Sequence, residues 1–384
     1  MDFAQYRTRL TEAVTKKKNG LTIQSISSFM QMHEEVITEA PFLGATMRPF
    51  PHDQLQSYLK ATKDKTKGPK DKYEKPYIHA SNIEVKDEHN HEYDLDKLKA
   101  LITKRPTAIL KQNEKMVHSD GSSSVFFNVG LPALKGLAVN ETTGEFVIVD
   151  TCPGAGVCKT FCYAMKGGYV QWKASSLGMT RVLNFLLNDP DGFAHLVKME
   201  LSAAHKKFSA KGTKVVVRWH DAGDFFSPEY LEVAYDIARA FPDIDFYAYT
   251  KIASVAHSEK PANFKINFSS GAQPSQEKLV DFARAKHSRV VPKDLFFDLI
   301  ARKGTSLMKD AKGRMQFASP ENLEQFKLRL SHKYAIPLHS ILTYDQMMAT
   351  HINPTNKWNV IVMPGDGDNA ANRGDVIGSY LLFH

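Results

Sequence analysis

Lys214–Lys251 reads KVVVRWHDAGDFFSPEYLEVAYDIARAFPDIDFYAYTK. A β-branched run gives way to the polar loop His-Asp-Ala-Gly-Asp. Ser227, Pro228 and Glu229 follow, and a capping residue before proline marks a helix start. Leu231, Ala234, Ile237 and Ala238 then recur on one helical face. DFYAYTK is a second β-rich run. A parallel strand pair needs a long crossover, so strand, helix and strand in this order predict a parallel βα unit.

The same texture extends from about Gly121 to His384. EFVIVDT (145–151), FKINFSSG (264–271), SRVVP (288–292) and NVIVMPGDG (359–367) read as strands. SLGMTRVLNFLLNDP (176–190) and FAHLVKMELSAAHKKF (193–208) read as helices, the first with Leu177, Arg181, Val182, Phe185 and Leu186 near one side. About six βα units fit, which predicts an α/β fold. It is either a partial (β/α)6 barrel or an open doubly wound parallel sheet. Both architectures place ligands at the carboxyl ends of strands. The loop after 145–151, HDAGD, Thr250-Lys251, SSGAQ and MPGDGD all fall at such ends and are expected to converge.

Residues 1–120 read as a mainly helical, charged region. Helices are expected over 2–20, 22–41, 53–63 and 94–106. Between them, Lys60–Pro76 carries seven lysines against three acids. It is either a solvated linker or a basic arm that touches nucleic acid. The whole chain has 50 basic and 42 acidic residues, a formal charge of +8, which is compatible with a polyanionic partner. No apolar run approaches the ~20 residues of a membrane helix. The N-terminus has an early acid and no apolar core of a signal peptide, so the expected compartment is the cytoplasm and no membrane partner is expected.

All three cysteines lie in TCPGAGVCKTFCYAMKGGY, Thr151–Tyr169. In a reducing compartment, clustered thiols bind metal or do chemistry. Three thiolates raise each other's cost of ionisation, and a soft cation offsets it, which points to zinc or an iron–sulfur cluster. Cys152, Cys158 and Cys162 are therefore the candidate metal ligands. Both structural zinc and a [4Fe–4S] cluster usually take four protein ligands. Three leave either an open position or a zinc site completed by a histidine such as His220 or His384.

A loop of this kind after the first strand of a barrel resembles the radical S-adenosylmethionine superfamily, whose motif is Cys-x3-Cys-x-aromatic-Cys. Phe161 matches the aromatic position, while both intervals are longer here. TCPGAGVCKTFCYA, HDAGDFFSPEY and PGDGDNAANRGDVIGSYLLFH also resemble the bacteriophage gene product 88 family, over roughly Phe127 to His384. The superfamily resemblance implies that the three cysteines ligate three irons and that S-adenosylmethionine chelates the fourth. It implies that Phe161 or Tyr163 lies near the adenine, and that Gly223 and Asp224 receive the methionine amino group. It implies a reducing electron donor and, if the protein is phage-encoded, an infected host cell.

His220, Asp221 and Lys251 are candidate catalytic groups, though Lys251 also suits a solvated loop tip. Ser269, Ser270 and Gln273 are neutral hydrogen-bonders suited to a ribose or base edge. Asp366 and Asp368 lack the remaining ligands of an EF-hand. Arg373 and Asp375 suit a pair with each other. The expected function is an iron–sulfur enzyme with nucleic acid or nucleotide as substrate class. The alternative is a zinc- or cluster-stapled nucleic-acid-binding or virion-associated protein without catalysis.

Overall fold

The β-rich runs do become strands. In chain order these are β1 (Met47–Pro49), β2 (Val85–Asp87), β3 (Glu92–Tyr93), β4 (Ser124–Val129), β5 (Lys135–Val139), β6 (Phe146–Asp150), β7 (Lys214–Trp219), β8 (Asp245–Thr250), β9 (Phe264–Ser269), β10 (His287–Val290), β11 (Met308–Lys309), β12 (Met315–Gln316), β13 (Ile341–Thr343), β14 (Trp358–Val362) and β15 (Val376–Leu381). This computed structural model describes residues 42–62, 74–112, 124–296, 298–299, 308–309, 315–317 and 319–382, all within the compact unit Ala40–His384. The helices expected over 2–20 and 22–41, most of the Lys-rich segment, and His384 lie outside the described residues.

Eight strands form one sheet in the order β13-β14-β15-β10-β9-β8-β7-β4. Every pair in it is parallel. The architecture is thus mixed α/β around a parallel sheet, with two more strands than six units supply. β4, β13 and β15 were not legible as strands in the sequence. In β15 the reason is Gly378, which breaks the apolar run. A Cβ there would lie 2.4 Å from Asn359 Oδ1 and 2.9 Å from His287 Nε2, so only glycine fits between its neighbours.

The strand expected over 145–151 forms as β6 but does not join the parallel sheet. It pairs antiparallel with β1 and β5 in a separate three-stranded sheet. The turn chemistry explains this. Asn140 Oδ1 accepts the Thr142 and Thr143 N–H groups, and Gly144 takes a φ of +74°, closing a hairpin that forces antiparallel pairing. The cysteine loop therefore leaves from the small sheet and must cross to the large one. Helices His52–Thr62 and Leu95–Thr103, near the expected bounds, bury Leu55, Leu59, Leu98 and Ile102 against Leu137, Val139, Phe146 and Ile148 of the small sheet.

The two faces of the large sheet differ in chemistry. Trp219, Phe246 and Phe264 share one face by register and pack together. Helix Pro228–Arg239 covers it, burying the expected Leu231, Ala234, Ile237 and Ala238. On the opposite face the register aligns Asn128 with Arg218, Arg218 with Tyr247, Tyr249 with Asn267, Ser269 with Ser288, and Ser288 with Ser379. A polar row thus runs across six strands. The crossover from β14 to β15 straps this face: Ala371 packs with Phe126, Val216 and Tyr247, and its carbonyl accepts Asn267 Nδ2–H at 3.2 Å. None of the described helices is long and apolar enough to cross a membrane.

Candidate functional site

The cysteine loop is bound to the carboxyl end of the large sheet by backbone atoms. Gly156 N–H and Cys158 N–H donate to Gly271 O at 3.1 and 3.2 Å, and Gln273 N–H donates to Gly154 O at 2.9 Å. Gln273 Nε2–H reaches Pro153 O at 2.8 Å. Its root is held by Asp224 N–H on Thr151 O at 2.8 Å. The two loop glycines allow this contact: a Cβ on Gly154 would lie 2.4 Å from Lys251 O, and one on Gly156 would lie 2.1 Å from Ala272 O. The expected convergence of the loop with HDAGD, Thr250-Lys251 and SSGAQ is what the structure contains.

Around the loop, Asp224 and Lys251 tie three strand ends together. Asp224, 4% exposed, accepts Phe225 N–H at 2.7 Å and Lys251 N–H at 2.8 Å. Burial pushes its carboxyl up to about 6, against the backbone and Thr250 hydrogen bonds that favour the anion. Lys251 is not a solvated tip. Its ammonium donates to Ser270 O at 2.6 Å, Ser269 Oγ at 2.9 Å and Ser269 O at 3.3 Å. Ser270 Oγ accepts Val290 N–H at 3.0 Å. Gly223 has a φ of +86° and its Cα faces Leu131, so that turn needs glycine.

The three thiols are partly buried, and burial raises all of them. Asp224 raises Cys152 further, while the Lys251 ammonium draws Cys158 and Cys162 down. Each sulfur also faces backbone N–H groups. Leu134 N–H donates to Cys152 Sγ at 3.3 Å, Gly156 N–H favours the Cys158 thiolate, and Ala164 and Met165 N–H favour that of Cys162. Among the described residues, no group of three or more His, Cys, Asp or Glu is placed so that it could hold a metal ion.

His220 ends β7 in a left-handed conformation, φ +68°, unusual for a side chain of this size. Trp219 Nε1–H donates to Tyr230 Oη at 3.1 Å, and Tyr230 Oη lies 2.7 Å from His220 Nε2. If the single Tyr230 proton serves His220 Nε2, the imidazole is the Nδ1–H tautomer, and that Nδ1 has no partner. Burial and Arg218 push His220 down to about 3 from 6.5. The folded value is depressed, so the unfolded chain binds more protons below pH 6.5. The stability from His220 is full above that pH and is lost as pH falls toward 3. Nitrogen-edited NMR is expected to show a neutral Nδ1–H imidazole at pH 5; an imidazolium signal there would contradict the assignment. Asp221 next to it accepts Tyr169 Oη–H at 3.2 Å, and its other oxygen is buried without a partner.

Several groups here were missed in the sequence. Arg218 Nη1 donates to Asp368 Oδ2 at 2.6 Å, Tyr247 Oη–H donates to the same oxygen at 2.9 Å, and Arg218 lies over the Tyr249 ring at 5.0 Å. The available signal was period two: Arg218 alone in VVVRW, and Tyr247 and Tyr249 in FYAYT. Phe161 and Tyr163 are 43% and 41% exposed, and the Tyr163 ring packs on Tyr169 with its hydroxyl turned in to the Asp221 carbonyl.

A family model described as Gene product 88 matches residues 103–333. This chain belongs to the gene product 88 family. The match spans the cysteine loop, HDAGD, Lys251 and SSGAQ, and stops short of Asp368. Among gene product 88 relatives, the Gene 88 protein of Mycobacterium phage D29 is 28% identical over 176 residues, 44% of this chain and 66% of that protein. The Gene 88 protein of Mycobacterium phage L5 is 27% identical over 205 residues, 51% of this chain and 73% of that protein. No solved structure matches.

Proposed function

We propose that this gene product 88 protein is an enzyme whose Cys152, Cys158 and Cys162 hold an iron–sulfur cluster with one open iron, and that S-adenosylmethionine binds there. The observation that carries this reading is the docking of the cysteine loop across the ends of β8 and β9, which brings Cys158 and Cys162 under the charge of Lys251 and Cys152 and Cys158 under that of Asp224. The donor types suit such a group, although their present spacing does not yet form one among the described residues. The sulfurs are soft, each faces backbone N–H, and the Lys251 ammonium offsets charge on Cys158 and Cys162. Burial keeps the thiols protonated on their own, so a bound soft cation is what would make them thiolates. The group, when bound, supplies an electron to a sulfonium and thereby a carbon radical.

The chain's own residues have distinct tasks in this reading. Lys251 holds the Ser269 and Ser270 carbonyls in place and lowers the cost of thiolate charge. Asp224 fixes the β7 loop to β8. Ser269, on the polar face, and Asp221 offer hydrogen-bonding atoms toward a ligand. The polar row under the β14–β15 crossover would be the interior of a partial (β/α) barrel. A separate reductant would deliver the electron.

The test is anaerobic purification with iron, sulfide and zinc quantified, then electron paramagnetic resonance of the reduced protein with and without S-adenosylmethionine. The expected result is about four irons per chain, lost in Cys158→Ser, and a spectrum that S-adenosylmethionine perturbs. One zinc and no iron would instead favour a metal-stapled binding protein and end the enzyme reading.

A further inference from the structure

The nine large apolar side chains that stand exposed among the described residues are not evenly spread. Val157, Phe161, Tyr163 and Trp172 fall within sixteen residues, at 60, 43, 41 and 67% exposure. Val157, Phe161 and Tyr163 belong to the cysteine loop, and Trp172 caps the short helix Gly168–Gln171 that follows it. Single exposed apolar side chains are ordinary, and it is their concentration in one short stretch that points to an interaction surface.

Along this stretch of the chain the charge has one sign, although Asp221 of the β7 loop lies against Tyr163 and Tyr169. From Thr151 to Asn188 the sequence contains Lys159, Lys166, Lys173 and Arg181 and no aspartate or glutamate. Lys166 and Lys173 are exposed, and they bracket Tyr169 and Trp172 in sequence. Aromatic faces interleaved with lysines along a loop match a strand of unpaired bases: rings stack on bases while ammonium groups meet phosphates. A duplex hides its base faces and offers such rings nothing to stack on. The location adds to this, since Phe161 and Tyr163 flank the candidate ligand Cys162 in the chain.

We infer that the loop Val157–Lys173 is a docking surface for single-stranded nucleic acid, with Trp172 and Phe161 as stacking platforms and Lys166 and Lys173 as phosphate contacts. This names the substrate class of the site described under the proposed function. It rests on that reading for the chemistry but not for the binding, which needs no metal.

The test is fluorescence anisotropy with labelled oligo(dT) and oligo(U) of about 20 nucleotides and with a matched DNA duplex, over a range of salt. It is run on metal-free and iron-loaded full-length protein. Single strands are expected to bind more tightly than the duplex, and comparison of the two oligomers separates DNA from RNA as the source. Trp172→Ala is expected to weaken binding about tenfold, as loss of one stacked base does. Lys166→Ala with Lys173→Ala is expected to reduce the slope of log affinity against log salt by about 1.4. Leu328→Ala, at another exposed apolar position, is expected to change nothing. All these side chains are exposed, so the variants should fold. Equal binding of duplex and single strand, wild-type binding by the Trp172 and lysine variants, or binding only to anionic lipid vesicles would overturn the inference. Strand binding by a protein that never takes up iron would sink the enzyme reading alone; an iron-loaded protein that ignores single strands would sink this inference alone.

Discussion

Gly156→Ala is expected to detach the cysteine loop from the sheet. The added Cβ would lie 2.1 Å from Ala272 O, 2.4 Å from its carbonyl carbon and 2.7 Å from Gln273 N. These are backbone atoms of the segment that follows β9, so no side-chain rotation relieves the overlap. The loop must move, and it then gives up the Gly156 and Cys158 N–H bonds to Gly271 O and the Gln273 N–H bond to Gly154 O. Overpacking commonly costs about 1–3 kcal/mol, and the lost hydrogen bonds bring the expected destabilisation to about 3 kcal/mol or more. The same displacement takes Cys158 away from Lys251, so metal uptake should fall to background. Urea denaturation and alkylation of Cys158 in the metal-free protein measure the two effects. Gly374→Ala is the control, because a Cβ there meets nothing within 4 Å. If Gly156→Ala matched that control in both stability and thiol reactivity, the loop would not be docked as described.

The fold was legible where the sequence is locally consistent. β7, β8 and β9 are β-branched or aromatic runs that end in polar turns, and helix Pro228–Arg239 opens on a serine cap and a proline. It was not legible where tertiary context decides. EFVIVD has the apolar continuity of a parallel strand, yet the Asn140–Gly144 turn commits it to a hairpin. β15 carries glycine and serine because it runs between Asn359 and His287, and no local pattern announces those neighbours.

The site was legible in its topology and less so in its bonding. Loops at the carboxyl ends of parallel strands do meet, which strand order alone implies. Lys251 was ambiguous because a lysine after a strand is usually solvated; only the turn of Ser269 and Ser270 toward it supplies the three oxygens that hold its ammonium. His220 gave no hint of burial, since its partner Tyr230 lies ten residues on and across a turn. The acids of PGDGD carried no readable role until Asp368 met Arg218, 150 residues away in sequence.

Arg373→Ala is expected to cost about 3–5 kcal/mol and to loosen the crossover that covers the polar face. Arg373 and Asp375 are 8% and 0% exposed. Arg373 donates to both Asp375 oxygens, at 2.9 and 2.7 Å, and to the Met347 and Thr350 carbonyls at 2.6 and 3.0 Å. Burial works to raise Asp375, and the Arg373 hydrogen bonds outweigh it and hold the carboxyl below its usual value. Removing the guanidinium leaves a buried carboxylate with Asn353 N–H at 3.3 Å as a weak remaining donor. The sign with pH then reverses. In the variant the folded Asp375 favours its proton, so the stability deficit should shrink as pH falls from 8 to 5. Lys286 holds the same turn through the Ala370, Arg373 and Val376 carbonyls, and burial draws its own pKa down to about 7, so this second clamp also depends on pH. Its folded pKa is depressed, so the unfolded chain binds more protons above about 7. The contribution of Lys286 therefore falls as pH drops toward 7, is level below it, and does not add to the recovery. The double variant Arg373→Met with Asp375→Leu removes both charges and should recover most of the loss. Denaturant melts of the two variants at pH 8 and pH 5 separate these expectations. If the double variant were as unstable as Arg373→Ala, the cost would come from the lost carbonyl contacts to Met347 and Thr350 rather than from an unpaired charge. Because Asp368 is on the same crossover, a loosened Arg373 end should also weaken the Arg218 pair and admit solvent to Asn267, linking the stability of this strap to the polar face it covers.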